Sequence, residues 1–137
     1  MSAFLFKTEP GTYSFDDLVR DKTTVWDGVS NPLALKYLGQ VKKGDTIAIY
    51  HTGDEKQVVG VVEVIKEAYT DPTDEKGVFK AVDVKAVKPV PKPVTLAAVK
   101  AEPRLKDMAL VKYSRLSVQP VTGPEWKLVC KMAGLKG

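Results

Sequence analysis

The apolar positions of this chain fall into short blocks whose spacing switches between strand and helix. Ala3 to Lys7 is aliphatic and aromatic and stops before Pro10-Gly11, which predicts a first strand carrying Lys7, Thr8 and Glu9 to its end. Phe15, Leu18 and Val19 recur at i, i+3 and i+4 behind Ser14, which predicts a short capped helix with Asp16 and Asp17 against its dipole. Thr23 to Asp27 predicts a second strand. Asn31-Pro32 then opens a helix over Leu33 to Leu38 that ends at Gly39. Thr46 to His51 and Gln57 to Lys66 are the clearest strands, and Gly53-Asp54 between them predicts a hairpin. Gly60 inside the second of these predicts a bulge or bend.

The second half is more broken. Tyr69 to Gly77 is polar and reads as a loop, and Val78 to Val90 alternates as a strand that Pro89, Pro91 and Pro93 end. Thr95 caps a helix through about Lys100, Pro103 breaks it, and Leu105 to Leu110 suits another helical turn. Tyr113 to Val121 predicts a last strand with Arg115, Ser117 and Gln119 on one face and Leu116 and Val118 on the other. Thr122 and Glu125 have capping-box spacing before a packing helix that carries Trp126, Val129, Cys130 and Ala133 and ends at Gly134. There is no βαβ alternation and no internal repeat. The expected architecture is α+β: five to six mostly antiparallel strands in a closed or half-closed barrel, with short peripheral helices.

Composition narrows the chemistry. The 137 residues fit a single domain, 1–137, with a core that needs no metal or disulfide staple. A net charge of +4 permits a polyanionic partner without requiring one. Cys130 is the only cysteine and His51 the only histidine, which excludes an intrachain disulfide and a cysteine-based zinc site. No Gly-rich phosphate loop and no G-x-S-x-G elbow occurs. The expectation is therefore no enzyme, no cofactor and no metal. No apolar stretch approaches the roughly 18–20 residues of a membrane span, and the start lacks a signal-peptide pattern. A cytoplasmic protein without a membrane partner is expected, with a monomer favoured.

The candidate chemistry centres on Trp26-Asp27-Gly28-Val29-Ser30-Asn31-Pro32. A Trp at a strand end supplies a flat apolar face, and the loop after it supplies hydrogen-bonding groups. A nucleobase needs both, a π-face to stack on and an edge to read. The hairpin brings Tyr50 and His51 toward the same end. Each residue also has a plainer use: Trp26 as core, Asn31 as helix cap, Lys7 as a solvated charge or partner of Glu9, His51 as a structural histidine, Arg115 in an ion pair. Lys42, Lys43, Lys85, Lys88, Lys92 and Lys100 suit a phosphate-facing surface or simple solvation.

Taken together, several motifs resemble the EVE domain family. They are Phe6-Lys7-Thr8-Glu9-Pro10, Tyr13-Ser14 with Asp17-Leu18, Trp26-Asp27-Gly28-Val29 with Asn31 and Ala34, and Val41-Lys42-Lys43-Gly44-Asp45 with Tyr50-His51. Val59-Gly60 through Ala68-Tyr69 and Asp71, Pro93-Val94-Thr95-Leu96, and Arg115 through Val121 complete the set in order. The resemblance implies a PUA-like pseudobarrel related to ASCH and YTH domains. It implies a reader of a modified base, such as 5-methylcytosine or N6-methyladenine, in DNA or RNA. On that reading Lys7, Thr8, Glu9, Trp26, Asp27, Val29, Asn31, Tyr50 and His51 form the nucleobase pocket. Arg115 and Ser117 hold phosphate or close the pocket. The chain departs from the family at Ser30, where members usually carry Arg. Two other functions stay open: an enzyme on a nucleotide or modified base with Glu9 and His51 moving protons, and a protein-binding adaptor with a vestigial pocket.

Overall fold

A computed structural model of the chain describes residues 2–27, 29, 31–70 and 80–135. Gly28, Ser30, Asp71, Gly77 and Val78, named above, lie outside the described residues, and with them most of the loop expected over Tyr69 to Gly77 and the start of the strand expected from Val78. In chain order the described elements are β1 (Ala3–Thr8), α1 (Phe15–Asp21), β2 (Thr23–Trp26), α2 (Pro32–Leu38), β3 (Thr46–His51), β4 (Gln57–Thr70) and β5 (Lys80–Thr95). Then come α3 (Leu96–Ala101), a single 3-10 turn at Pro103–Leu105, α4 (Ala109–Lys112), β6 (Val118–Val121) and α5 (Gly123–Met132).

The six strands form one sheet in the order β2-β5-β4-β3-β1-β6. Side-chain alternation divides its core in two. Phe4 and Phe6 of β1, Ile47 and Ile49 of β3, and Val62 and Val64 of β4 pack with Leu18 of α1 and Ala34 and Leu38 of α2. Leu5, Ala48 and Val61, from the same strands, pack on the opposite face with Val99 of α3, Leu110 of α4 and Val129 of α5. The central strands are thus buried on both faces, which accounts for their nearly continuous apolar sequence.

The barrel expectation is corrected by the pairing. β2 pairs with β5 and β6 with β1, so β2 and β6 are the two free edges of an open sheet. Helix α2 lies against both β5 and β6, so a helix occupies the space that a closing strand pair would need. The sheet is also mixed. β1 runs parallel to β3, from Ala3 opposite Thr46 to Thr8 opposite His51, while the other pairs are antiparallel. The segment α1-β2-α2 therefore makes a crossover, where none was expected. Periodicity reports burial and does not report strand direction.

Local chemistry fixes most boundaries as expected. Ser14 and Asp17 form a reciprocal capping box on α1, and Thr122 and Glu125 do the same on α5. The Oδ1 of Asn31 accepts the N–H groups of Leu33 and Ala34 at 3.0 and 3.1 Å, which caps α2. Gly60 sits at the expected bulge, since Ile49 pairs with Gly60 but Tyr50 with Val58. A Cβ at Gly60 would lie 2.3 Å from the Phe15 ring, so this glycine is required by close approach.

Four boundaries differ. The helical turn expected over Leu105 to Leu110 is a 3-10 turn at Pro103–Leu105 and a helix at Ala109–Lys112. β5 continues through Pro89, Pro91 and Pro93. Pro91 and Pro93 fall between the pairs Gly60–Pro89 and Val58–Val94, an irregular stretch where the ladder asks no N–H of them. Lys92 between them donates its N–H to the Ala133 carbonyl at 3.0 Å. Residues 69 and 70 belong to β4 rather than to a loop. The last strand is only Val118–Val121, so Arg115 and Ser117 lie in the turn before it and Gln119 is buried. Gln119 donates from Nε2 to the Leu116 carbonyl at 2.9 Å. Val19 is exposed and Trp126 half-buried, both less covered than their helical spacing suggests.

Candidate nucleic-acid interface

The ends of β1 and β2, with the loop into α1, enclose a cleft of about 400 Å³. Lys7 and Thr8 line it from β1, Thr12 and Tyr13 from the loop, and Thr24, Val25, Trp26 and Asp27 from β2 and just beyond. Trp26 is 9% exposed, so most of its ring belongs to the core. Its ring centroid lies 5.3 Å from that of Phe6, with the planes tilted by 42°. Phe6 thus fixes the indole from behind, while the cleft meets its remaining surface. Val25 pairs with Asp83 and Trp26 with Val82, so the edge strand is held by β5 alone.

Tyr13 closes the other side. Its hydroxyl donates to Asp21 Oδ2 at 2.9 Å, and Arg20 holds the same carboxylate. Partial burial pushes the Tyr13 phenol above its ordinary value, against a hydrogen bond with Thr24 that lowers it. Thr8 Oγ1 donates to the Tyr13 carbonyl at 2.8 Å, which ties the loop to the strand end.

Lys7 is the cation of the cleft. Its Nζ donates to the Ser114 carbonyl at 2.9 Å and stands 5.7 Å from the centre of the Tyr50 ring. Its backbone N–H donates to the Ser117 carbonyl at 2.9 Å. Burial lowers its pKa from the ordinary 10.5. No described carboxylate pairs with it, and Glu9 turns elsewhere: its Oε2 accepts from Thr52 Oγ1 at 3.2 Å, beside Gly53. Gly53 has φ 75°, and a Cβ there would stand 3.1 Å from that oxygen.

The expected pocket residues therefore divide. Lys7, Thr8, Trp26 and Asp27 share the cleft. Val29 is buried in the core beside it. Asn31 spends its carbonyl oxygen on the cap of α2. Tyr50 lies across Lys7, in a second cleft. His51 is buried, with both ring nitrogens engaged: Nε2 accepts the Phe15 N–H at 2.9 Å and Nδ1 bonds Glu55 Oε1 at 2.9 Å. That pair of partners selects the tautomer protonated at Nδ1, and the hydrogen bond from His51 lowers the Glu55 pKa. Arg115 is exposed and Ser117 half-buried in the turn whose carbonyls hold Lys7. Sequence reasoning missed Thr12, Tyr13, Thr24 and Val25 as lining. Nothing in the sequence pairs the loop before α1 with an edge strand, because that approach is set by the fold of the sheet.

Among the described residues no group of His, Cys, Asp and Glu is placed to hold a metal, and no helix is long and apolar enough to cross a membrane. Cys130 is buried, which raises its thiol pKa, against a smaller opposing effect from Lys88.

Comparison with known proteins is consistent along the whole chain. Zebrafish (Danio rerio) thymocyte nuclear protein 1 is 32% identical over 165 aligned residues, which cover 96% of this chain and 71% of that protein. A solved structure from Rhodopseudomonas palustris is 54% identical with a TM-score of 0.93, covering 98% of this chain and 94% of that one. The crystal structure of human THYN1 in complex with 5-methylcytosine-containing DNA is 29% identical with a TM-score of 0.89, and each chain is covered completely. The model of the EVE domain matches residues 2–132. This chain belongs to the EVE domain family.

Proposed function

We propose that this protein is a non-catalytic nucleic-acid-binding module that recognises a modified base, with 5-methylcytosine as the first candidate and N6-methyladenine as the second. The observation that carries this reading is the likeness, over the whole of this chain and of the crystallised chain, to human THYN1 in complex with 5-methylcytosine-containing DNA. The cleft at Trp26 supports it. It is lined by Trp26, by the polar residues Thr8, Thr24 and Asp27, and by the half-buried Lys7. An extruded base would rest on Trp26, present its polar edge to those groups and leave its phosphate near Lys7. One buried methyl group contributes on the order of 1 kcal/mol, so discrimination comes from how closely the walls fit it. The geometry gives no support to proton transfer by His51, whose two nitrogens are spent on Phe15 and Glu55.

The test is a titration at one stated low salt concentration. Matched single-stranded and duplex DNA and RNA carry cytosine, 5-methylcytosine, adenine or N6-methyladenine. Wild type is compared with Trp26→Phe, which keeps an aromatic ring against Phe6; Trp26→Ala would vacate core as well as cleft. Tighter binding to one modified base, weakened in Trp26→Phe, is the expected result. Equal binding to every oligonucleotide, unchanged in the variant and steeply salt-dependent, would reduce the protein to a phosphate binder and overturn the reading.

A further inference from the structure

Lys7 stands between two cavities. Beyond it, on the face of the sheet covered by α3 and α4, lies a second cleft of about 380 Å³. Tyr50 and Leu110, both buried, and the half-buried Leu96 and Val111 give it apolar surface. Three of its lining residues are lysines, Lys7, Lys56 and Lys100, and none of the residues lining it is acidic. Glu9 reaches only its rim, through Thr52 Oγ1. None of the three lysines is paired with a described carboxylate.

The placement of the two outer lysines is fixed by backbone. Lys56 has φ 45°, a left-handed conformation that costs a non-glycine residue about 1 kcal/mol. It is held there in part by its own carbonyl, which accepts the Leu96 N–H at 2.8 Å. Leu96 begins α3, and Lys100 follows one turn later on the same side of that helix. Both lysines thus line one cleft from a single backbone junction. Across the cleft, Lys7 is partly desolvated and its Nζ has only the neutral Ser114 carbonyl as a hydrogen-bond acceptor. Three cations without counter-charges, around an apolar surface, complement a phosphodiester whose sugar and base need a dry contact.

We propose that this second cleft holds the nucleotide adjacent to the recognised base. The linking phosphate sits at Lys7, between the two cavities, and the next phosphate sits between Lys56 and Lys100. The sugar and base of that nucleotide lie on the Tyr50 and Leu110 side. This inference rests on the reading of the Trp26 cleft as the base site. It deepens that reading from one base to a dinucleotide step.

The experiment uses the full chain and compares 5-methyldeoxycytidine with single-stranded trinucleotides centred on 5-methylcytosine or cytosine and phosphorylated at both ends, across a salt series. Lys56→Gln/Lys100→Gln is measured beside Lys106→Gln/Lys127→Gln, which removes the same charge from exposed lysines outside the cleft; thermal melts confirm folding of both. The cleft variant should lose part of the affinity gained from nucleoside to trinucleotide, since Lys7 keeps the linking phosphate. It should also lower the slope of log K against log salt by about 0.7, the share of one phosphate contact on a single strand. The control variant should keep both. An intact trinucleotide gain, or equal losses in the two variants, would overturn the second subsite while leaving the base reading standing. If methylated and unmethylated trinucleotides bind alike but the cleft variant still loses slope, the base reading fails and a phosphate track remains. No binding of any trinucleotide overturns both.

Discussion

His51 Nε2 accepts the backbone N–H of Phe15 at 2.9 Å, so the only histidine of the chain acts as an acceptor for the first turn of α1. That N–H lies at a buried helix start, where a lost partner leaves a donor unsatisfied. His51→Ala should lower stability by about 1–3 kcal/mol, read from urea unfolding. Oligonucleotide affinity per folded molecule should be unchanged. A variant as stable as wild type would show that the bond contributes nothing, and a selective loss of binding or of any turnover would return His51 to the site.

Phe15 of the same helix is also coupled to Gly60 of β4. Because a Cβ at Gly60 would meet the Phe15 ring at 2.3 Å, Gly60→Ala should destabilise by overpacking, about 1–3 kcal/mol. Phe15→Leu should recover part of that loss, so the double-mutant cycle gives a coupling energy of opposite sign. Strict additivity in denaturant unfolding would remove the steric account.

Asn31 separates capping from recognition. Asn31→Ala should cost about 1 kcal/mol of stability, because Leu33 and Ala34 lose their acceptor. Asn31→Ser keeps a capping oxygen and should melt within a few tenths of a kcal/mol of wild type. If the amide nitrogen reads the base, the serine variant still loses affinity for the modified oligonucleotide. Unchanged binding in Asn31→Ser would confine the residue to its cap.

Lys7 gives the pH signature. Its folded pKa is depressed by burial, so the folded protein releases this proton before the unfolded chain does. The charged form is penalised in the fold while the pH is below the lowered value. The penalty fades as pH rises through that value toward the ordinary 10.5. Binding has the opposite dependence, since phosphate needs the ammonium. Affinity should therefore fall at a pH below that at which exposed lysines discharge. Lys7→Arg, which stays charged, should bind with a flat profile over that window. Parallel profiles for the two proteins would exclude Lys7 from phosphate contact.

The sequence made local features legible where one side chain decides them. The caps at Ser14, Asn31, Thr95 and Thr122 were readable, because each cap is a short-range hydrogen bond. The bulge at Gly60 was readable because a glycine inside a strand run marks a bulge or a close approach. What escaped was long-range. The parallel pairing of β1 with β3 and the open edges at β2 and β6 depend on strand direction, which alternation does not encode. The prolines of β5 looked like a terminator, because their bulge exists only against Val58 and Gly60 of a partner strand. Of the residues lining the Trp26 cleft, Lys7, Thr8, Trp26 and Asp27 were named from the sequence, since strand ends collect at one rim. The lining contributed by Thr12, Thr24 and Val25 depends on how an unpaired edge approaches a loop.

The place of β1 also sets an order of assembly. This strand lies between β3 and β6, with Ala3 opposite both Thr46 and Val121. During synthesis β1 emerges well before β6, and its second edge is filled only once β6 follows. Until then it presents open hydrogen-bonding groups to other chains. Such distant pairing makes folding slow relative to a sheet of hairpins. A chain shortened to end at Ser117 should accordingly aggregate or occupy chaperones while the full chain refolds, as light scattering would record. A soluble, cooperatively folded fragment would show that β1 is secured without β6.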